Sequence, residues 1–288
     1  MINSILMPII RKEFDSLLAW IEHCPNPGIE CNLFFSIDNK WNREEKIKII
    51  ETISNSAFFD KKNVYFIDCM IPDSESFYIR EKNKKINLNK YPYGAKSGPN
   101  KQFFISMKKI IDNSCAQNII LLEVDAFPVK NCWLRAINQR TNWAKDVYII
   151  GARVKENKIS PSIKTHVNGN SVYFIRAEGF ELFIKKWEQI LLDLLKKNHG
   201  LAYDVALDYY KNTAKNSEYC DNLLITEYEK KIFELPNLIL NLYNMDDQFN
   251  SIHDIENYIK KYSYIIIHGK ILSGKKDILK DYYKKKCI

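Results

Sequence analysis

The chain has 288 residues, of which 46% are hydrophobic, 27% are charged and 13% are aromatic, with only 9 glycines and 9 prolines. These fractions are those of a globular protein with a sizeable core, and they exclude disordered, collagen-like and coiled-coil chains. The 7 cysteines include no C-x-x-C pair, which argues against a zinc knuckle or a disulfide scaffold and agrees with a reducing cytosol.

The formal net charge is +8, and much of the excess lies in residues 270–287, where lysines flank Tyr282 and Tyr283. Such an excess favours polyanions, phosphorylated small molecules or an anionic membrane face, although a lysine-rich surface in water explains the same charge. The basic C-terminal tail is typical of a helix that lies on a membrane surface.

Targeting signals are weak in this sequence. The apolar run at residues 5–10 is too short for a signal-peptide core. No apolar stretch reaches the roughly 20 residues that a membrane-spanning helix needs. We therefore expect a cytoplasmic protein whose contact with a membrane, where it has one, is peripheral.

The first part of the chain alternates short apolar runs rich in β-branched residues with segments of helical hydrophobic spacing. Strands are predicted at residues 4–10, 31–37 and 63–68, and helices at residues 13–23 and 44–54. This β-α-β-α-β alternation predicts an α/β fold with a mainly parallel sheet that helices cover on both faces.

The middle of the chain opens with residues 72–100, which have no clear hydrophobic period and are predicted to form a long loop of the functional or mobile kind. Further helices are predicted at residues 102–111, 133–140, 178–197 and 203–210, strands at 118–125 and 146–152, a turn and strand at 166–175, and short apolar segments at 233–236, 238–243 and 264–267. No repeat or low-complexity linker interrupts these elements, so a single domain is expected.

Two acids close the most hydrophobic predicted strand, Leu121-Leu-Glu123-Val-Asp125. Residues two apart on an extended chain point to one face, so the two carboxylates repel each other unless a cation compensates them. The carboxyl end of a strand is where open α/β sheets bind ligands, and Mg²⁺ or Mn²⁺ is the natural partner of such acids. Alternatively, one acid caps the turn at Pro128 and the other pairs with a lysine.

A hydrophobic strand that ends in an acid-x-acid motif, after a β-α-β-α-β half, resembles the GT-A-fold glycosyltransferases. The resemblance implies a single GT-A-like domain with a Rossmann-like sheet, in which residues 1–130 form the nucleotide-sugar-binding half and residues 131–288 the acceptor half and the basic tail. It also implies a hexosyltransferase-like enzyme whose Mn²⁺ or Mg²⁺ holds the donor diphosphate. Asp125 would ligate this metal, and Glu123 would contact the ribose or a metal-bound water.

A late histidine agrees with this resemblance. The segment Tyr264-Ile-Ile-Ile-His268-Gly-Lys270 reads as a strand that delivers a histidine to a turn. Many GT-A enzymes complete the metal site with a histidine near the C-terminus, so His268 could ligate the metal and Lys270 could neutralise the diphosphate. A strand-end histidine that bonds to backbone is the alternative.

Further donor contacts follow from position in the predicted sheet. Arg11 and Asp38 come after the first two strands, where GT-A enzymes begin the nucleotide pocket, although surface salt bridges explain them equally well. Lys96 and Asn100 precede the next helix, whose free N–H groups attract anions. A helix-capping role for Asn100 is equally consistent with the sequence.

The acceptor half contains a polar stretch, Thr165-His166-Val-Asn168-Gly169-Asn170, between apolar segments. The side chains of His166, Asn168 and Asn170 can bond sugar hydroxyls, while Gly169 permits a close approach of backbone to ligand. A hairpin-like turn is the simpler alternative, because Asn-Gly is its strongest signal.

Asp204 lies in the first turn of a predicted helix, where the helix dipole favours acids. By the resemblance, an inverting GT-A enzyme uses such an acid as the general base that deprotonates the acceptor hydroxyl. Glu178 and Asp208 are alternative bases, and a retaining enzyme requires none.

The predicted function is therefore transfer of a sugar from a nucleotide-sugar donor to a glycan or lipid-linked glycan acceptor, in glycan or surface polysaccharide synthesis. A metal-dependent nucleotidyltransferase or phosphohydrolase would also hold phosphates through acid pairs. A basic nucleic-acid-binding protein is a third alternative. No nucleic acid is expected as a partner, because RNP, KH, helix-turn-helix and zinc signatures are missing from the sequence.

Overall fold

The computed structural model describes residues 1–38, 41–79, 86–153, 166–214, 227–241 and 252–268. Its strands are β1 (Ser4–Ile9), β2 (Asn32–Ile37), β3 (Val64–Asp68), β4 (Ile119–Leu121), β5 (Ala126–Pro128), β6 (Ile149–Arg153), β7 (Val167–Tyr173), β8 (Ile232–Glu234), β9 (Ile239–Asn241) and β10 (Ile266–His268). Its α-helices are α1 (Phe14–His23), α2 (Arg43–Ser54), α3 (Ser97–Ile111), α4 (Trp133–Thr141), α5 (Phe180–Leu195), α6 (Tyr203–Ala214) and α7 (Ile252–Tyr262). Short 3-10 turns lie at Arg11–Glu13, Lys61–Asn63 and Gly94–Lys96.

The central sheet has 7 strands in the order β3-β2-β1-β4-β7-β6-β8. Strands β3, β2, β1 and β4 are parallel to one another, whereas β7 is antiparallel to both β4 and β6. The carboxyl ends of the four parallel strands therefore share one edge with the amino end of β7. The mainly parallel α/β sheet predicted from the sequence is confirmed.

Helices cover both faces of this sheet because the strand side chains alternate between two hydrophobic clusters. Ile5 and Met7 of β1 belong to the cluster under α1, α2 and α4, while Leu6 belongs to the cluster under α3, α5 and α6. The same alternation separates Phe35 from Phe34 in β2. Both faces are apolar, which is why these strands read as continuous hydrophobic runs.

A second sheet of 3 strands, β5-β10-β9, lies beside the first. Strand β10 is antiparallel to β5, with His268 opposite Ala126 and Ile266 opposite Pro128. This pairing brings a residue from the end of the described chain next to the residue that follows Asp125.

The strand predicted at 118–125 is shorter in the structure, and its acids lie in a turn. Strand β4 ends at Leu121, the backbone N–H of Ala126 donates to the carbonyl of Glu123 (2.8 Å), and the chain then enters β5. Pairing of β5 with β10 draws the chain out of the central sheet. The turn, rather than strand alternation, therefore sets the positions of Glu123 and Asp125.

The Asn168-Gly169 step is not a hairpin turn but part of β7. Gly151 of β6 pairs with Ser171, while Arg153 pairs with Val167, so β7 has extra residues opposite this part of β6. Such a bulge bends the strand and re-aims its side chains. The polar stretch predicted to bind sugar thus lies at an irregular strand end, at the same edge as the carboxyl end of β4.

The start of α3 also differs from the sequence-based prediction. Helix α3 begins at Ser97 rather than at 102, and the predicted loop at 72–100 contains a 3-10 turn. None of the helices in the described ranges combines the length and hydropathy that crossing a lipid bilayer would require.

Candidate metal and catalytic site

A cluster of two carboxylates and one imidazole lies where β4 leaves the central sheet. Nε2 of His268 is 3.2 Å from Oε2 of Glu123 and 3.4 Å from Oδ1 of Asp125. One ligand atom from each of the three residues lies within 4.8 Å of the other two. The His268 side chain is only 4% exposed, whereas those of Glu123 and Asp125 are 46% and 31% exposed. The histidine of the cluster is therefore buried in the protein, whereas its two carboxylates are accessible to solvent.

A proton on His268 offsets part of the negative charge of this cluster. Burial alone would lower the pKa of His268, but hydrogen bonds to Asp125 and Glu123, together with their negative charges, raise this pKa to about 10. The imidazole is therefore protonated at neutral pH. A divalent cation that binds here must displace that proton, because only a neutral imidazole can be a ligand.

Asn170 connects this cluster to β7. Its Oδ1 accepts a hydrogen bond from the backbone N–H of Glu123 (2.7 Å), and its Nδ2 donates to Oε2 of Glu123 (3.2 Å). The same Nδ2 lies 3.3 Å from Nε2 of His268 and donates to Oδ1 of Asn168 (3.0 Å). Asn170 is 1% exposed, so it holds the acids from within the protein.

A third carboxyl group near the cluster, that of Glu13, was not predicted from the sequence. Oε2 of Glu13 accepts a hydrogen bond from the backbone N–H of Ile10 (3.2 Å), just after β1. Burial, together with the negative charges of Glu123 and Asp125, raises the pKa of Glu13 to about 7, although the hydrogen bond from Ile10 acts in the opposite direction. An acid at the start of a helix has an ordinary local explanation in the helix dipole, so the sequence carried no signal for this one.

Asp204 and His166 form a second polar group at the same edge. Nε2 of His166 is 3.6 Å from Oδ2 of Asp204, which also accepts a hydrogen bond from the N–H of Gly169 (3.4 Å). Burial opposes ionisation of Asp204, but the hydrogen bond and charge of His166, with Lys96 and the Gly169 N–H, hold its pKa below the usual range. Asp204 is therefore an ionised carboxylate at neutral pH.

Close packing of α6 against β7 sets the position of Asp204. A Cβ added to Gly169 would meet Oη of Tyr203 at 2.1 Å, so only glycine allows this approach. The backbone N–H of Tyr203 donates to Oδ1 of Asn100 (2.8 Å), which fixes the start of α6.

Asn100 lies inside the protein. It is fully buried, and its Nδ2 donates to the carbonyls of Tyr93 (3.1 Å) and Leu201 (3.0 Å). All of these contacts of Asn100 are with backbone. Its geometry is that of the helix-capping alternative, except that the helix it caps is α6 rather than α3.

The other residues predicted to bind the donor lie in different surroundings. Arg11 is 54% exposed, and its Nε is 2.9 Å from Oε1 of Glu45. Asp38, just after β2, is buried, and its Oδ2 accepts a hydrogen bond from the Ser76 hydroxyl at 3.5 Å. Lys270 lies outside the described residues.

Lys96 and the two alternative bases, Asp208 and Glu178, differ in their distance from Asp204. Nζ of Lys96 lies 5.6 Å from the centre of the Tyr78 ring and is close enough to Asp204 to lower its pKa. Asp208 lies one helical turn after Asp204, whereas Glu178 is exposed near the start of α5. The structure thus brings together Glu123, Asp125, His268, Asn168 and Asn170, and joins them through β7 to Asp204, His166 and Lys96.

Comparison with known proteins identifies the fold. No family profile matches the chain, and no curated protein matches it by sequence. An active-site mutant of LgtC matches with a TM-score of 0.50 and 10% identity, over 92% of this chain and 86% of that one. Mouse xyloside xylosyltransferase 1, in its apo form, matches with a TM-score of 0.51 and 12% identity, over 93% and 97%.

A third match is the bifunctional glycosyltransferase WbbM, with a TM-score of 0.55 and 10% identity, over 93% of this chain and 45% of that one. The chain therefore spans about half the length of WbbM. At these identities the likeness concerns the fold, which is that of the GT-A-type glycosyltransferases. The GT-A fold predicted from the sequence is confirmed.

Proposed function

We propose that this chain is a glycosyltransferase that moves a sugar from a nucleotide-sugar donor to a hydroxyl group of an acceptor. The observation that carries the proposal is the cluster of Glu123, Asp125 and His268 at the carboxyl edge of the parallel strands. That edge is where open α/β sheets bind ligands. The GT-A-type fold agrees with this assignment.

The donor set of the cluster fits a hard divalent cation. Carboxylate oxygens suit Mg²⁺ and Mn²⁺, and the imidazole nitrogen makes Mn²⁺ the better fit. The exposed sides of Glu123 and Asp125 leave room for donor phosphates beside the ion. When bound, such a cation neutralises charge on the diphosphate leaving group. Asn170 would keep the two acids oriented toward it.

The remaining donor contacts extend along the edge of the sheet. In the proposal, the nucleoside lies near Arg11 and Asp38, at the ends of the adjacent strands β1 and β2, and Glu123 contacts the ribose or a metal-bound water. Lys96 and Lys270 would face the phosphates. Asn100, whose polar atoms bond to backbone, would act only by holding α6 in place.

On the acceptor side, Asp204 is the proposed general base. It is ionised at neutral pH and 19% exposed, so it can accept a hydrogen bond from an acceptor hydroxyl. His166 would hold Asp204 in place and stabilise its negative charge before Asp204 receives the acceptor proton. Asn168 would bond another hydroxyl of the acceptor sugar, whereas the buried Asn170, predicted from the sequence as an acceptor contact, would support the acids from inside the protein. If configuration is retained, Asp204 would bind the acceptor without removing its proton.

Two predictions made from the sequence concern features other than the candidate site. The basic C-terminal tail, for which peripheral membrane contact was predicted, falls outside the described residues. The cytoplasmic location and the role in surface polysaccharide synthesis stay predictions.

The metal assignment is tested by replacing Asp125 with Asn. We expect UDP, GDP or ADP to raise the melting temperature of the wild-type protein only when Mn²⁺ is present. Asp125→Asn should weaken Mn²⁺ binding by about a hundredfold, because a ligand matters at least as much as the groups that orient it. The measurements are Mn²⁺ titration by calorimetry and thermal unfolding.

Asp112→Asn is the matched control, because Asp112 is an exposed acid at the end of α3. Unchanged Mn²⁺ affinity in Asp125→Asn would refute the metal site. Product analysis separates the reaction classes: a glycosyltransferase releases nucleoside diphosphate, whereas release of pyrophosphate or inorganic phosphate would favour the nucleotidyltransferase or phosphohydrolase alternative.

A further inference from the structure

A cavity of about 270 Å³ lies between the central sheet and helices α5 and α6. Ile149, Tyr173 and Ile232 form its floor from β6, β7 and β8, and Trp187 and Ile190 form one wall from α5. Its volume lies just below the range of typical small-molecule sites, which start at about 300 Å³. It is large enough for one sugar ring rather than for a nucleotide.

The cavity begins at the proposed catalytic residues. Asp204 and Asn168 belong both to its lining and to the polar network of the candidate site. Oδ1 of Asn168 accepts a hydrogen bond from Asn170, which contacts Glu123 directly. A ligand in the cavity would therefore lie against the carboxylate proposed to receive the acceptor proton.

Helix α6 presents two carboxylates to this cavity, from Asp204 and Asp208. Like charges four residues apart on a helix repel each other, so the arrangement opposes helix stability. Leu207 lines the cavity between them. The pair provides several hydrogen-bond acceptors beside an apolar surface, which matches a ligand that has hydroxyl donors on its rim and C–H groups on its faces.

The charges around the cavity argue against an ionic ligand. Among the described residues, its lining includes the carboxylates of Asp193, Asp204, Asp208 and Glu229 and the cations of Arg153 and Lys186. Several of these charges are already compensated, since Arg153 pairs with Glu234 (3.4 Å) and Asp193 with Lys196 (2.8 Å). An anion would meet the carboxylates and a cation would meet Arg153 and Lys186. Neutral hydroxyl groups can bond to both kinds of side chain.

The aromatic rings complete this match. Tyr173, Trp187, Tyr210 and Tyr228 line the cavity. Tyrosine and tryptophan rings present a large apolar face that can pack against the C–H face of a sugar. Trp187 itself is fixed, because its Nε1 donates to the carbonyl of Tyr203 (2.8 Å).

We propose that this cavity is a subsite for a neutral sugar unit of an oligosaccharide acceptor, next to the unit whose hydroxyl faces Asp204. The inference rests on the proposed function and specifies its acceptor: a chain of at least two neutral sugar units rather than a single sugar or an anionic glycan.

Direct binding to the metal-free protein tests this inference without any transfer reaction. Lactose, cellobiose and maltose are titrated in the presence of EDTA, with glucose, galactose and spermidine for comparison, by saturation-transfer NMR. We expect at least one disaccharide to bind at least tenfold more tightly than either monosaccharide, and spermidine not to compete with it. Ile190→Trp, which fills the cavity, should lower that disaccharide affinity at least tenfold.

Lys185→Trp is the matched control, because it adds the same side chain to α5 at a position that is 59% exposed and does not line the cavity. Asp208→Asn is a second variant of nearly unchanged size, for which we expect an affinity loss of at least threefold. Absence of disaccharide binding, binding of spermidine in its place, or equal affinity of Ile190→Trp and Lys185→Trp would each overturn the inference.

Asp125→Asn separates this inference from the metal assignment. In that variant we expect disaccharide affinity within twofold of the wild type, with Mn²⁺ binding lost. Disaccharide binding that disappears together with Mn²⁺ binding would place the sugar at the metal cluster and not in the cavity. Disaccharide binding in a protein whose Mn²⁺ affinity does not depend on Asp125 would support the cavity and refute the proposed metal site.

Discussion

Two polar groups share the edge of the central sheet, and they balance their negative charge in different ways. The cluster of Glu123, Asp125 and His268 depends on a proton held at a pKa of about 10, and its acids remain open to solvent. The pair of Asp204 and His166 is mostly buried, and its carboxylate is held ionised by fixed neighbours.

In the proposed reaction, this difference suits the cluster of Glu123, Asp125 and His268 to the donor and the pair of Asp204 and His166 to the acceptor. A cluster that exchanges a proton for a divalent ion can respond to the arrival of a charged donor. A carboxylate that its surroundings already stabilise needs no such exchange and can remain ready for an uncharged acceptor. The predictions below perturb one of these two groups or its surroundings.

The largest effect is expected for Asp204→Asn. Loss of a general base lowers transfer rates by about 10²- to 10⁴-fold, while affinity for Mn²⁺ and nucleoside diphosphate should stay within twofold of the wild type. Transfer to a saturating acceptor and Mn²⁺ titration measure the two quantities. A transfer rate like that of Asp112→Asn would remove Asp204 from the mechanism and leave a retaining reaction as the better alternative.

Asn170→Ala should act mainly on the metal cluster. Groups that orient metal ligands contribute about 10- to 100-fold to metal affinity, and loss of a buried hydrogen-bonding side chain costs about 1–3 kcal/mol of stability. Calorimetry and chemical unfolding measure these effects. The exposed Asn257→Ala in α7 is the control. A variant that loses stability but keeps its Mn²⁺ affinity would show that Asn170 supports only the fold.

Gly169→Ala should disturb the acceptor side. The added Cβ meets Oη of Tyr203 at 2.1 Å, and the backbone of Tyr203 is held by its N–H, which donates to Asn100, and by its carbonyl, which accepts from Trp187. Overpacking of this kind costs about 1–3 kcal/mol, and we expect transfer to fall more than Mn²⁺ affinity. In the control Gly200→Ala, the new Cβ lies 3.6 Å from its nearest neighbour. Equal stability of the two variants would contradict the close packing of α6 on β7.

The smallest effect concerns Glu13 and appears as a dependence on pH. Its pKa is raised from 4.5 to about 7 in the folded protein, so the folded state binds more protons than the unfolded state between these values. Stability should therefore fall as pH rises from about 4.5 to 7, and Glu13→Gln should remove that part of the decrease. Above pH 7 the variant should be more stable than the wild type by about 1–3 kcal/mol.

Urea unfolding in EDTA at several pH values measures this difference, with the exposed Glu22→Gln in α1 as the control. Added Mn²⁺ should reduce the stability advantage of Glu13→Gln over the wild type, because a cation at Glu123 and Asp125 offsets the repulsion between these acids and Glu13. A difference that does not vary with pH would show that Glu13 is neutral or ionised throughout.

The sequence predicted those features that depend on neighbouring residues. Short apolar runs predict the parallel strands β1, β2 and β3, helical hydrophobic spacing predicts α1 and α2, and the aliphatic run at Ile119–Leu121 predicts β4. The spacing of two acids at the end of a hydrophobic strand, together with the resemblance to GT-A enzymes, singled out Glu123, Asp125 and His268. The contacts that unite them are non-local: β10 pairs with β5, and Asn170 reaches back to Glu123 across 47 residues.

The same reason explains where the sequence was silent or ambiguous. From the sequence, Asn100 was equally suited to bind a donor or to cap a helix. In the structure its side chain hydrogen-bonds to the backbone of Leu201 and Tyr203, more than 100 residues away, and no local pattern predicts these partners. Glu13 has the sequence context of an ordinary acid at a helix start, and only the folded structure places it near Glu123 and Asp125. The bulge in β7 arises from its pairing with β6, which no local pattern reveals.

That bulge has a mechanical consequence. Within residues 168–170 of β7, Asn170 hydrogen-bonds to Glu123 of the metal cluster, and the N–H of the adjacent Gly169 donates to the carboxylate of Asp204. A shift of this short segment would therefore displace both groups together, which would preserve the distance between the proposed metal site and the proposed general base.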